Sequence, residues 1–421
     1  MVEKSVFHLW LNIRVLDIPK TMRAVVYRGV NDLRLETVPV PRIGANELLV
    51  KVAVCGVCPT DIKKIQHGTV PPPRIFGHET AGTIVKIGGN RTSLDIPSPI
   101  IGRERVAAGR VRVGDRVALH HHVPCGHCHF CRHASFAQCA TYKRTGITAG
   151  FEPAGGGYAE YVRVMPFALP GVVKIPARNS FAEGAMLEPV NTILKAVNRL
   201  NLLPGDAVLV AGQGPIGLMF TRILQLQGIR VLATDLLESR LKLARKFGAK
   251  WTVNAGGSGR GSAQTKNSEF RIPNSAFPLD AAVIAVPSDD GVRQAFRLVR
   301  GGGRILLFAH TKRADISGRA ELPLRQDARQ RVPTDHSPQP TAFSLDLASI
   351  CVDEKDLIGS YSSDFTLQAG VARLVFSRRL DVRPLITHTF PLEQTAAAIA
   401  LAAKPAEDSL KIMVAAGVSL L

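Results

Sequence analysis

The stretch Val208-Leu209-Val210-Ala211-Gly212-Gln213-Gly214-Pro215-Ile216-Gly217, with the apolar run Leu218 to Leu226 behind it, fixes one domain of this 421-residue chain. An apolar strand that ends in Gly-x-Gly-x-x-Gly and opens a helix is the turn that receives a dinucleotide pyrophosphate. Gly212 permits the tight turn, Gly214 lets the backbone approach the phosphates, and Gly217 lets helix and strand pack closely. Pro215 and Ile216 complete the turn, and the helix N-terminus presents free N–H groups to the anion. A second strand follows, Arg230 to Thr234, ending at Asp235, 23 residues after Gly212. A carboxylate there accepts hydrogen bonds from the adenosine ribose hydroxyls and repels a 2′-phosphate, which favours NAD over NADP. Arg240 is the counter-signal, because it could meet that phosphate or stack on the adenine.

Upstream the pattern differs. Arg23 to Tyr27, Leu33 to Thr37 and Leu48 to Val54 read as short strands, separated by turns at Asn31-Asp32 and Gly44-Ala45-Asn46. Gly and Pro recur at short intervals to about residue 180, as in a mostly-β domain. Glu183 to Leu200 has helical apolar spacing, and the next stretch alternates strand and helix as in parallel βαβ units. After about residue 360 come short segments and a last helix, Leu392 to Ala402. Residues 91–110, 255–278 and 311–342 lack apolar periodicity and read as surface insertions.

Composition excludes several classes. Apolar residues make up 46% and charged residues 21%, which rules out a wholly disordered or fibrous chain. No run of about 18 apolar residues exists, so no membrane-spanning helix is expected. The early apolar patch Val6 to Ile18 is broken by Asn12 and Arg14 and is followed by no small-residue cleavage site, so a soluble, multidomain, cytoplasmic protein is expected. Lys plus Arg number 53 against 34 Asp plus Glu, a formal charge of +19. These cations are scattered rather than run together, and aromatics are only 6%, which is thin for base stacking. A solvated basic surface, not a nucleic-acid partner, is the expectation.

Four of the seven cysteines, Cys125, Cys128, Cys131 and Cys139, form C-x2-C-x2-C-x7-C. Four thiolates on so short a loop suit tetrahedral zinc in a structural role, since no coordination position is left for substrate. An iron–sulfur cluster is the lesser alternative, and a disulfide framework has no secretion signal to support it. A second candidate metal constellation lies upstream: Cys58 in Cys58-Pro59-Thr60-Asp61, and His78-Glu79 after Gly77. Thiolate and imidazole are zinc ligands, and a hydroxyl beside the thiolate can pass a proton. A further ligand must come from afar, and Glu188 in Leu187-Glu188-Pro189 is the best-placed candidate.

Cys58-x-Thr60-Asp61, Gly77-His78-Glu79-x-x-Gly82-x5-Gly88, the four-cysteine loop, Glu188-Pro189 and Gly-x-Gly-Pro-x-Gly occur in one order. In that order they resemble the zinc-dependent medium-chain alcohol dehydrogenase family, nearest its sorbitol and threonine dehydrogenase branches. The resemblance runs from Met22 to about Val414 and includes Asp381-Val-Arg-Pro-Leu-Ile-Thr-His388, expected as a strand. It implies an α/β chain: a GroES-like β-rich catalytic domain from residues 22–187 and 361–421, and a Rossmann doubly wound parallel-sheet domain from 188–360. Residues 1–21 would be a disordered N-terminal extension.

It also implies roles. Cys58 and His78 match the catalytic zinc ligands, with Glu79, Glu188 or both beside them. Thr60 matches the hydroxyl that takes the substrate proton, and Asp61 the residue that orients the histidine. Lys63 stands where the family's proton relay often ends on a histidine. Implied cofactors are NAD and two zinc ions, one catalytic and one structural. The implied activity is hydride transfer between a secondary alcohol, a polyol or sugar alcohol foremost, and NAD. Oxidation of a 3-hydroxy amino acid such as threonine is the rival within the family, and a non-catalytic basic binding protein the rival outside it. The family also implies a homodimer or homotetramer.

Overall fold

The computed structural model describes residues 18–96, 100–101, 104–105, 109–120, 123–144, 156–256, 278–309 and 346–416. The chain divides into two compact units, one running to Lys195 and resuming at Ser362, the other Ala196–Tyr361. The division falls within the helix Leu187–Leu200, a few residues beyond the boundary expected at 188.

In the first unit the strand Leu48–Gly56 is the organising element. It pairs with Glu79–Ile87 along one edge and, on the other, with Tyr161–Val164 and Lys411–Ala415. The sheet order is Val172–Lys174, Arg116–Leu119, Glu79–Ile87, Leu48–Gly56, Lys411–Ala415, Ile386–Pro391. Successive strand residues point to opposite faces. Leu48, Val50 and Val52 therefore enter one core cluster and Leu49 and Cys55 another, so this strand is buried on both faces. Thr21–Gly29, with Asp32–Pro39 and Arg74–Ile75, forms a smaller sheet. The turns expected at Asn31 and Asn46 are present, each with positive φ (56° and 60°), a conformation asparagine tolerates.

The second unit is a six-stranded, wholly parallel sheet in the order Trp251–Asn254, Arg230–Asp235, Ala207–Ala211, Leu279–Ile284, Val299–Leu307, Asp356–Gly359. Numbered along the chain this is 3-2-1-4-5-6, the dinucleotide-binding order, which places a switch point beside Ala207–Ala211. That strand is buried throughout, as helix-covered parallel strands are.

Several expectations are corrected. The helix expected over Glu183 to Leu200 is two helices, Phe181–Ala185 and Leu187–Leu200. Pro189 has no N–H to offer Ala185, which breaks the run. Asp381 to His388 is not one strand: Arg383–Leu385 is a 3-10 turn and the strand is Ile386–Pro391. Within 91–110, Ser93–Ile96 pairs with Gly109–Arg112, and Leu94, Ile96 and Val111 enter the core. A two-beat alternation that short is hidden among arginines. Of the 1–21 extension, Ile18 packs on the core and Thr21 opens a strand, while residues 1–17 lie outside the described residues. Residues 257–277 and 310–345 also lie outside them, and with them most of the two later insertions.

Candidate active site and metal centres

Cys58 is the N-cap of the helix Pro59–His67, and its sulfur accepts the Thr60 N–H at 3.5 Å. His78 lies just ahead of the strand Glu79–Ile87, after Gly77 at φ +97°. Both elements hang from the sheet edge where Gly56 pairs with Glu79. Cys58, His78 and Glu79 each offer a ligand atom, all within 4.8 Å of one another.

The surroundings hold these groups still. Asp61, wholly buried, accepts from His78 Nδ1 at 3.2 Å, which leaves Nε2 for a metal. Tyr158 donates to the other Asp61 oxygen at 3.2 Å. Asp61 stays below the usual carboxylate range: burial opposes ionisation, but the His78 charge and hydrogen bond outweigh it. The His78 pKa is raised despite burial, by the negative charges of Asp61 and Cys58. Lys411 Nζ donates to Glu79 Oε1 at 2.6 Å, and Glu79 Oε2 is in ion-pair contact with the same ammonium but accepts no hydrogen bond.

Glu188 is buried on the first turn of Leu187–Leu200, outside the 4.8 Å group but within electrostatic reach of it. Burial first, and then the Glu79 charge, push its pKa up to about 7, while His78 and Lys411 pull the other way. Thiolate, imidazole and buried carboxylates, brought within reach of one another, are a donor set that fits a divalent cation such as zinc. Thr60 is half-buried at the second position of the Cys58-capped helix, and Lys63 half-buried one residue after Ile62.

Cys125, Cys128, Cys131 and Cys139 also converge, with ligand atoms within 4.8 Å. Cys125 and Cys131 sulfurs are 3.8 Å apart, and those of Cys128 and Cys131 3.5 Å. A tetrahedron of zinc–sulfur bonds of about 2.3 Å has an S···S edge of about 3.8 Å, so the loop fits zinc. Burial and the neighbouring thiols push Cys131 up to about 12, whereas amides of Cys125 and Tyr142 and adjacent thiols bring Cys139 down to about 6 against burial. Phe136, Tyr142 and Phe365 form a small core around the cluster.

In the second unit Gly212 has φ +91°, and a Cβ on Gly217 would stand 1.8 Å from the Gly212 carbonyl oxygen. No heavy atom lies within 4 Å of a Cβ position on Gly214, which leaves space for a ligand against the backbone. The helix is Pro215–Leu226, so Pro215 and Ile216 are its first residues. Asp235 Oδ2 accepts the Gln213 N–H at 2.6 Å and Oδ1 the Leu237 N–H at 2.9 Å, so the carboxylate also ties the turn together. Arg240 lies on the following helix, Glu238–Lys246, its Nε buried without a hydrogen bond.

Sequence reasoning missed Lys411 and Tyr158. A lysine inside the apolar strand Lys411–Ala415 was a readable signal; for Tyr158 there was none. Cys55 is buried, and its thiol is pushed up to about 12 by desolvation. Cys351 is exposed on the short helix Leu347–Cys351.

The chain matches two families, the alcohol dehydrogenase GroES-like domain over residues 44–177 and zinc-binding dehydrogenase over residues 215–331. It is 27% identical over 403 residues to the sorbitol dehydrogenase of Bacillus subtilis, covering 94% of this chain and 98% of that one. To the sorbitol dehydrogenase of Bombyx mori it is 27% identical over 402 residues, covering 93% and 97%. The structure of 2R,3R-butanediol dehydrogenase from Bacillus subtilis superposes with a TM-score of 0.70 at 20% identity, over 94% of this chain and 99% of that one.

Proposed function

Because the chain belongs to the zinc-dependent medium-chain alcohol dehydrogenase family, on its sorbitol dehydrogenase-like branch, we propose that it oxidises a secondary alcohol of a polyol or sugar alcohol to the ketone with NAD. The observation that carries this reading is the buried meeting of Cys58, His78 and Glu79, with Glu188 in reach, in one unit, while the other carries the dinucleotide turn.

In this reading Cys58, His78 and Glu79 or Glu188 hold zinc, and residues 212–217 with Asp235 and Arg240 hold NAD. Zinc held by these residues would supply positive charge that lowers an alcohol's pKa, and NAD held at the turn would supply the hydride acceptor. Asp61 keeps His78 in the tautomer that presents Nε2. Thr60 Oγ1 takes the hydroxyl proton and relays it outward. Burial of the carboxylates excludes bulk water from the ligand set. Four-thiolate zinc at Cys125, Cys128, Cys131 and Cys139 braces the first unit, and its reduced thiols belong in a reducing compartment, the cytoplasm. Among the described residues no helix is long and apolar enough to cross a membrane. A homodimer or homotetramer completes the reading, to be checked by light scattering.

The test is NADH formation by zinc-loaded protein across polyols, sugar alcohols, threonine and simple alcohols, with Cys58→Ser alongside. Turnover of polyols that vanishes in Cys58→Ser, while NADH binding is kept, is the expected result. Threonine turnover alone would move the chain to the rival substrate, and turnover surviving Cys58→Ser would overturn the catalytic zinc.

A further inference from the structure

We propose that Lys411 is the positioning residue of the Cys58–His78–Glu79 cluster, acting through the Glu79 carboxylate. The inference rests on reading that cluster as a zinc site. Lys411 opens the strand Lys411–Ala415, and its side chain is only 5% exposed. A buried lysine must be paired or lose its proton. Here it is paired, with the Glu79 carboxylate.

One cation therefore reaches two parts of the ligand set. Besides Glu79, Lys411 Nζ donates to the Val57 carbonyl at 3.0 Å, the peptide that leads into Cys58. Val57 N–H in turn donates to the Ile412 carbonyl at 2.9 Å, so the two chain segments are laced together here. The opposite side of the carboxylate is closed by Gly56, where a Cβ would lie 1.9 Å from Glu79 Oε2. Between ammonium and bare backbone, with both its oxygens against Lys411 Nζ, Glu79 has one place to lie. An ammonium beside a metal cation lowers affinity by like charge. Its contribution must then be orientation: it fixes a carboxylate that would otherwise swing.

The experiment measures zinc content, zinc affinity by chelator competition and the absorption of the cobalt-substituted site. It uses the full chain as wild type, Lys411→Arg, Glu79→Gln and the double variant Lys411→Met/Glu79→Gln. Lys411→Arg keeps the charge, but its larger, planar guanidinium sets its donors in a different geometry and so moves the carboxylate it holds. We expect it to bind the second zinc at least about tenfold more weakly, with a shifted cobalt band. The double variant, with no buried charge left unpaired, should bind zinc as Glu79→Gln does. Wild-type affinity and spectrum in Lys411→Arg would overturn the inference, as would a double variant about tenfold weaker than Glu79→Gln alone. A wild-type protein holding zinc only on its four cysteines would sink the zinc-site reading itself.

Discussion

At the residue scale, Asp235 ties the glycine turn together and, in the proposed reading, also selects the cofactor. Both its oxygens accept backbone N–H groups, from Gln213 and Leu237, and each keeps a lone pair for a ribose hydroxyl. Charged hydrogen bonds are worth about 1.5–3 kcal/mol each. In Asp235→Ala, NAD affinity should fall by about tenfold or more, and NADP affinity by less, because the repulsion of a 2′-phosphate goes too. Titrating both cofactors by fluorescence quenching checks this; an unchanged ratio would mean that the carboxylate serves only the turn.

At the scale of elements, the helix Phe181–Ala185 is too short to persist alone and depends on its cap. Ser180 and Glu183 form a reciprocal capping box, and Glu183 also pairs with Arg378, brought from the returning segment of the same unit. Burial works against the Glu183 charge, but hydrogen bonds from Arg378, the Ser180 N–H and Asn179 bring its pKa down to about 2. The folded pKa is depressed, so the stabilisation is present above the unfolded value and is lost as pH falls from about 4.5 toward 2. At 1.36 kcal/mol per unit that is about 3 kcal/mol at most. Unfolding free energies at pH 5 and pH 3 should fall further in wild type than in Glu183→Gln. Parallel losses would show that Glu183 titrates no differently in the folded chain.

Elements also explain what was legible. The dinucleotide turn could be read because each glycine answers a local need, a positive φ at 212 and a close approach at 217, and local needs are written locally. The four-cysteine loop was legible for the same reason. The hairpin Ser93–Ile96 with Gly109–Arg112 was not, since its partner strands are separated by a stretch without pattern. Tyr158 was invisible because its role depends on reaching Asp61, 97 residues away in sequence.

At the scale of the molecule, the two metal clusters differ in how they depend on the rest of the chain. The four cysteines span fifteen residues and carry their own small core of Phe136, Tyr142 and Phe365. Zinc held there would contribute to folding directly. Cys139→Ser should lower zinc content from two per chain to one and the melting temperature by several degrees, with the Cys58 site still loaded. Metal analysis with calorimetry reads this, and two zinc ions retained would exclude Cys139 as a ligand.

The strand Lys411–Ala415 enters between Leu48–Gly56 and Ile386–Pro391, and it supplies the ammonium that touches Glu79. That places a clock on synthesis. A ribosome has made Cys58, His78 and Glu188 long before it makes Lys411, and until then the Val54–Gly56 edge lacks its neighbour. The four-cysteine loop has all its donors by residue 139 and can take its ion while the chain is still growing. In the proposed reading the Cys58 cluster waits for Lys411 to be made before Glu79 is held, so the four-cysteine loop would take its ion first.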